Sequence, residues 1–173
     1  DQPPAPGPIL TAQMVRAALI CARQLWLDHH GDPALRSRLS PHAEYLMELG
    51  RQHEITIQAT EFPFLEPLRV DSWEAGVLLT REALQKGIAG VWHGCLEHCA
   101  PLDLTDRVFV VRGKPDYLER VEHFGVSAYR PIEIKRRRQP EPTDWVQLDL
   151  YVWLLRQIQS ETPPGELWLG ADE

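Results

Sequence analysis

Hydrophobic and polar positions change period several times along the chain, and each change marks an element. From Ala12 to His29 the apolar residues Met14, Val15, Ala18, Leu19, Ala22, Leu25 and Trp26 recur at i, i+3, i+4 spacing. That rhythm predicts an amphipathic helix, with Thr11 as its N-cap and His29-His-Gly-Asp-Pro33 as its stop. Cys21 falls near its apolar face. Ser40-Pro41, with Glu44 close behind, opens a second helix. It is expected to run to about His53-Glu54, with Tyr45, Leu46 and Leu49 as its apolar stripe. Ile55-Thr-Ile-Gln-Ala59 then reads as a strand, followed by an aromatic loop, Glu61-Phe-Pro-Phe64. Trp73 to Lys86 predicts a third helix with Gly87 at its C-terminal cap.

Beyond Gly87 the pattern turns to strands. Val91 to Cys99 reads as a short buried strand with ordinary cysteines. Val108–Arg112, Tyr117–Val121 and Arg130–Lys135 read as three more, and Glu166–Leu169 as a last one. Between them, Pro140-Glu-Pro-Thr143 breaks the strand and caps a helix from Asp144 to about Gln159. Leu148, Tyr151, Leu155 and Ile158 form its inward stripe, and Gln147 and Tyr151 lie one turn apart on one face. The order of elements predicts an α/β fold, a central mixed sheet flanked by helices.

The strand Arg130–Lys135 carries the most specific chemistry. Side chains alternate along a strand, so Ile132 and Ile134 point into a core while Glu133 and Lys135 share the other face. Asp116 stands at the start of the preceding strand, and hairpin pairing can bring it beside Glu133, 17 positions on. Two carboxylates on one surface repel unless a cation separates them or one is protonated. A hard divalent ion suits all-oxygen ligands. A lysine two residues along can orient a water or steady charge on a phosphate. The plainer alternative is a solvated sheet face. His53 lies four residues past Leu49 on the buried side of its helix, as a packed core residue or as an inner-shell group at the helix end. Cys95 and Cys99, with His93 and His98 alongside and Cys21 remote, form a candidate zinc or iron–sulfur corner, although the spacing is not a standard zinc pattern.

Charge sharpens this picture. The whole chain of 173 residues carries −7, which argues against a nucleic-acid partner. Yet nine of its 18 basic residues fall between Arg107 and Arg138, against four acids, so that segment carries +5 and the remainder −12. A basic stripe beside a candidate metal site is what phosphate binding needs. For Arg136-Arg-Arg138 the alternative is a solvated strand end that discourages edge pairing. No apolar run approaches the roughly 18 residues of a membrane span. Three cysteines do not make a disulfide framework, and a reducing cytoplasm is expected. Residues 1–9 read as a Pro-rich disordered lead and residues 10–173 as a single domain. The absence of an initiator Met suggests a segment trimmed from a longer protein, cut short at its C-terminal end.

Five stretches taken in order carry a resemblance: Cys21-Ala-Arg-Gln-Leu-Trp-Leu27, Gly50-Arg-Gln-His53-Glu54, Gly113-Lys-Pro-Asp116, Glu133-Ile-Lys135 and Gln147-Leu-Asp-Leu-Tyr151. Over Leu10 to Leu169 the chain resembles the PD-(D/E)XK nuclease superfamily, in particular its RecB-like branch, with RecB-type exonuclease domains and CRISPR-associated RecB-like nucleases. The resemblance implies a restriction-endonuclease-like core and Mg²⁺- or Mn²⁺-dependent hydrolysis of DNA phosphodiesters, at ends or single strands, in DNA repair, CRISPR adaptation or phage defence. It implies that Asp116, Glu133 and the carbonyl of Ile134 bind the ion, and that His53 adds a ligand or holds its water shell. Lys135 would orient the attacking water. Gln147 and Tyr151 would contact the nucleic-acid backbone or brace Lys135, and Arg136, Arg137 and Arg138 would bind substrate. Longer members hold an iron–sulfur cluster on one early cysteine and three late ones. Cys21 stands at the first position but no cysteine follows Gln147, so no cluster is expected here. The rival class is a non-catalytic RecB-like module that binds DNA or protein within a larger helicase or CRISPR integrase assembly.

Overall fold

The computed structural model describes residues 7–102 and 105–170. Residues 1–6 of the expected lead, residues 171–173 and the side chain of Arg107 lie outside the described residues. The elements in order are β1 (Ile9–Thr11), α1 (Ala12–His30), α2 (Pro41–Glu61), α3 (Trp73–Gln85), β2 (Gly90–Trp92), β3 (Leu96–Leu102), β4 (Thr105–Gly113), β5 (Tyr117–His123), β6 (Val126–Lys135), α4 (Pro142–Leu155) and β7 (Glu166–Leu169). They build a mixed α/β architecture with two mixed sheets flanked by helices. One sheet has the order β1-β4-β3 and the other β2-β5-β6-β7. Each sheet joins one parallel pair, β1 with β4 and β6 with β7, to antiparallel neighbours. No helix among the described residues is long and apolar enough to cross a membrane.

The register of β5 on β6 places Tyr117 opposite Ile132. Alternation then sorts the side chains onto two cores. Tyr117, Ile132 and Ile134 face Trp92, with Ile57, Phe62 and Trp168 packed around them. On the other face, Leu118 and Tyr129 join Leu148, Tyr151, Leu154 and Leu155 of α4. Helix α4 rests on β6, β3 and β4, and α1 packs along it. Both faces of β6 are therefore covered, and Glu133 is 3% exposed rather than part of a solvated face.

Several sequence expectations give way to packing. The expected strand Ile55–Ala59 is helical, because α2 continues to Glu61. Its β-branched run is accommodated: the Thr56 and Thr60 hydroxyls donate to the carbonyls of Gln52 and Thr56, and Ile57 reaches the core. No proline interrupts α2 between Pro41 and Pro63, and tertiary contact outweighs local propensity. In α1, Cys21 has non-helical φ −158° and ψ 98°. Its Sγ accepts from the Gln24 N–H, so the residue restarts the helix. Cys21 is exposed, as are Leu19 and Trp26 of the expected apolar face and Tyr45 and Leu46 of α2. Helix α4 ends at Leu155, short of the expected Gln159, leaving Ile158 exposed. Its N-cap is Glu141, within the expected Pro140–Thr143 stretch, and the Asp144 carboxylate accepts from the Glu141 N–H.

The segment expected as one strand, Val91 to Cys99, is two. The chain leaves β2, turns at His93 and Gly94, and enters β3 in the other sheet. His93 sits at φ +57°, a left-handed backbone that non-glycine residues rarely adopt.

Candidate functional site

The two sheets and all four helices line a half-open cavity of about 410 Å³. Strand β6 contributes Glu133 and Lys135 to it, and the turn before β5 contributes Asp116. The pairing of Tyr117 with Ile132 carries Asp116 alongside Glu133. The Asp116 Oδ2 accepts the Ile134 N–H at 2.7 Å, fixing the carboxylate at the end of the ladder. Ile134 thus meets the site through its backbone, with its side chain in the core on the opposite face.

Glu133 is the hub. Its Oε1 accepts from Lys135 Nζ at 2.5 Å and from Gln147 Nε2 at 2.8 Å. The same amide nitrogen donates to the Tyr151 hydroxyl at 2.8 Å. Gln147 and Tyr151 are thereby buried braces from α4, one helical turn apart, holding Glu133 and through it Lys135. The brace depends on Gly113: a Cβ there would stand 2.7 Å from Tyr151 Cδ1 and 2.6 Å from Leu154 Cδ1. The glycine of the Gly113-Lys-Pro-Asp116 stretch is thus required by the Tyr151 ring, which packs where a side chain would be.

Glu54 and His93, to which the sequence pattern gave no ligand role in the acid site, complete the group around Asp116. Ligand atoms of Glu54, His93 and Asp116 all lie within 4.8 Å of one another. His93 Nε2 stands 3.7 Å from Glu54 Oε2, and the His93 N–H donates to the Asp116 carbonyl at 2.9 Å. The residue at the sheet-to-sheet crossover is therefore tied directly to the acidic turn. His53 does not line the cavity; its neighbour Glu54 does, because successive residues of a helix point about 100° apart and α2 turns Glu54 to that side. The candidate Cys/His corner is not brought together: among the described residues the metal-ligating group contains no cysteine. Cys95 is buried beside Gly76, while Cys21 and Cys99 are exposed. Proximity of Glu54 to the expected His53 was the available signal in the sequence. His93 offered none beyond its place in the cysteine-rich stretch.

The acids are crowded. Burial pushes the Asp116 carboxyl well above the ordinary aspartate range, and the nearby Glu133 and Glu54 push it further. Burial likewise raises Glu133, against the pull of Lys135. Burial and the Glu133 charge also raise the Tyr151 hydroxyl, keeping it a neutral partner. The buried Glu133 Oε2 and Gln147 Oε1 find no hydrogen-bond partner among the described residues. Oxygen donors and one imidazole, mutually repelling and partly unpaired, are a donor set that fits a hard divalent ion.

The arginine stripe fares differently. Arg136, Arg137 and Arg138 do not line the cavity. Past Lys135 the chain turns away, and the Gly170 N–H donates to the carbonyls of Lys135 and Arg137. Arg137 is engaged by Asp144 and Glu141, Arg130 by Glu119 and Glu166. Arg112 pairs with Glu97 at 2.7 Å and Glu74 at 3.3 Å and lies over the Trp73 ring. Four of the nine basic residues of the stripe, Arg112, Arg130, Lys135 and Arg137, thus pair with acids of the same chain. The cations that line the cavity are Arg16, Arg112, Lys114 and Lys135.

No known family model and no curated protein matches the chain. Its fold resembles the solved crystal structure of SSO0001, with a TM-score of 0.41 and 14% identity over 86% of this chain. The chain spans 57% of the length of that protein.

Proposed function

We propose that the protein is a Mg²⁺- or Mn²⁺-dependent nuclease of the PD-(D/E)XK type, RecB-like, built on a restriction-endonuclease-like core and acting on DNA. The observation that carries this reading is the meeting of Asp116, from the turn before β5, with Glu133 and Lys135 of β6 in a single cavity lined also by Glu54, with His93 beside Glu54 and Asp116. Glu54, His93 and Asp116 would hold the ion, with Glu133 lining the cavity beside them. A bound ion supplies Lewis acidity, lowering the pKa of a water and offsetting charge on phosphoryl oxygens. The chain's own groups do the rest. Lys135, clamped on Glu133, orients the attacking water and offsets the charge that gathers on the phosphoryl oxygens. Gln147 and Tyr151 keep Glu133 from swinging away. His93 holds its ring in place through a strained backbone, the kind of cost that persists where surrounding contacts over-determine a site.

The test is incubation of the purified protein with end-labelled single- and double-stranded DNA in Mg²⁺, Mn²⁺ or EDTA, beside Asp116→Ala and Lys135→Ala. Ion-dependent cleavage lost in both variants supports the reading. Cleavage by either variant at the wild-type rate sinks it.

A further inference from the structure

The cavity has a second wall. The first turns of α1 and the start of α3 supply it with Gln13, Arg16 and Trp73, and Lys114 lines the same cavity. This wall offers donors where the other offers acceptors. Two of them are buried and unpartnered among the described residues: Arg16 Nε and Trp73 Nε1. Arg112 is not available, being held by Glu97, Glu74 and Trp73.

Arg16 is the informative member. Its closest acid is Asp144, but Arg16 Nη2 lies 3.9 Å from Oδ1, beyond hydrogen-bond distance. The other Asp144 oxygen is already taken by Arg137 and the Glu141 N–H. The guanidinium is also close enough to the site for its charge to work, as a minor influence, against the burial that raises both Glu133 and Tyr151. A planar cation with a buried, unused N–H, lining the same cavity as the acids, matches an anion held between the guanidinium and an ion on the acids. Guanidinium groups bind phosphate oxygens in this way, through paired donors.

We propose that Arg16 is a substrate-positioning residue that binds a phosphate of the nucleic-acid chain and holds it beside the acids. The assignment rests on the nuclease reading for its substrate, and its test separates the two. The alternative is that Arg16 only ties α1 to α4 through Asp144.

The experiment uses the full chain and a fluorescein-labelled single-stranded oligonucleotide. Binding is followed by anisotropy in Ca²⁺ over a salt series, and cleavage in Mg²⁺ and Mn²⁺, for wild type, Arg16→Gln, Arg16→Lys and Asp144→Asn. Arg16→Gln is expected to weaken binding and raise KM by about tenfold or more, the worth of a charged hydrogen bond. It should also flatten the slope of log affinity against log salt by about 0.7, one phosphate contact on a single strand. Arg16→Lys should keep the salt slope and recover part of the affinity, and it serves as the test if Arg16→Gln does not fold. Unchanged affinity, slope and KM in Arg16→Gln overturn the proposal, as does an Asp144→Asn variant that reproduces its whole effect. If wild type binds in an Arg16-dependent way but never cleaves, the phosphate contact stands and the nuclease reading falls. If Asp116→Ala abolishes cleavage while Arg16→Gln behaves as wild type, the nuclease reading stands and this proposal falls.

Discussion

Replacing Asp116 by Asn should make the ion-free protein more stable and the ion-loaded protein less stable than wild type. Burial, Glu133 and Glu54 all disfavour the charged form of this carboxylate, and together they outweigh the Ile134 N–H and Lys135, which favour it. Asn keeps the shape and still offers an oxygen to the Ile134 N–H, so the local hydrogen bond survives while the repulsion goes. The sign with pH follows. Asp116 and Glu133 both titrate higher in the folded chain than in the unfolded one. Folding is therefore unopposed below the ordinary carboxylate range, and stability is lost as pH rises through the raised values. In EDTA, wild type should lose melting temperature from weakly acid to alkaline pH, and Asp116→Asn should lose less. With an ion at about 100 times its Kd, wild type gains about 2.7 kcal/mol. For a chain of this size that is a rise of about 5–11 °C. The variant should show little of it, so the order of the two melting temperatures inverts between EDTA and Mn²⁺. Differential scanning fluorimetry across pH, with and without ion, reads this directly. A wild-type melting temperature unmoved by Mg²⁺ and Mn²⁺, or a variant less stable than wild type in EDTA, would refute the argument.

Other outcomes follow from the same geometry. His93→Ala should lower ion affinity, read by calorimetric titration, by about tenfold or more, the scale on which changes at or beside metal ligands act, while His53→Ala should leave it unchanged. Lys135→Ala should cut the cleavage rate by about 10²–10³, the scale of one lost charge-stabilising donor, with ion binding retained. Gly113→Ala drives a methyl into Tyr151 and Leu154; an overpacking cost of about 1–3 kcal/mol is expected in chemical denaturation, with cleavage falling as the Gln147 brace shifts. Arg137→Ala leaves the fully buried Asp144 carboxylate without its main partner. Because Arg137 is itself a third exposed, a loss of about 1–3 kcal/mol is expected. Burial acts to raise the Asp144 carboxyl, but Arg137 and the Glu141 N–H outweigh it and hold it below the usual range. The loss should therefore be full above the ordinary aspartate pKa and shrink as pH falls through the lowered folded value.

The acid site and the basic stripe differ in how far the described structure follows the sequence pattern. Nine basic residues in 32 positions look like a phosphate-binding surface when only spacing is visible. Folding brings Glu97, Glu119, Glu141, Asp144 and Glu166 to several of them. Net charge along the chain cannot tell a solvated arginine from one already paired, because the partners come from other elements. Arg16, by contrast, stood in no motif.

What the sequence by itself determined is what a single strand or helix can encode. Alternation in Arg130–Lys135 decides that Glu133 and Lys135 share a face, and the short hairpin to Asp116 decides which strand supplies the second acid. A one-turn spacing puts Gln147 and Tyr151 together on α4. These relations span a few residues and follow from backbone periodicity alone. Only the tertiary structure decided that α2 runs through Ile55–Ala59 and presents Glu54. It alone decided that the crossover between sheets swings His93 onto Asp116, and that α1 hangs Arg16 over the cavity. Those residues come from four separate segments, and where they meet is set by packing against two sheets and α4, which no local pattern records.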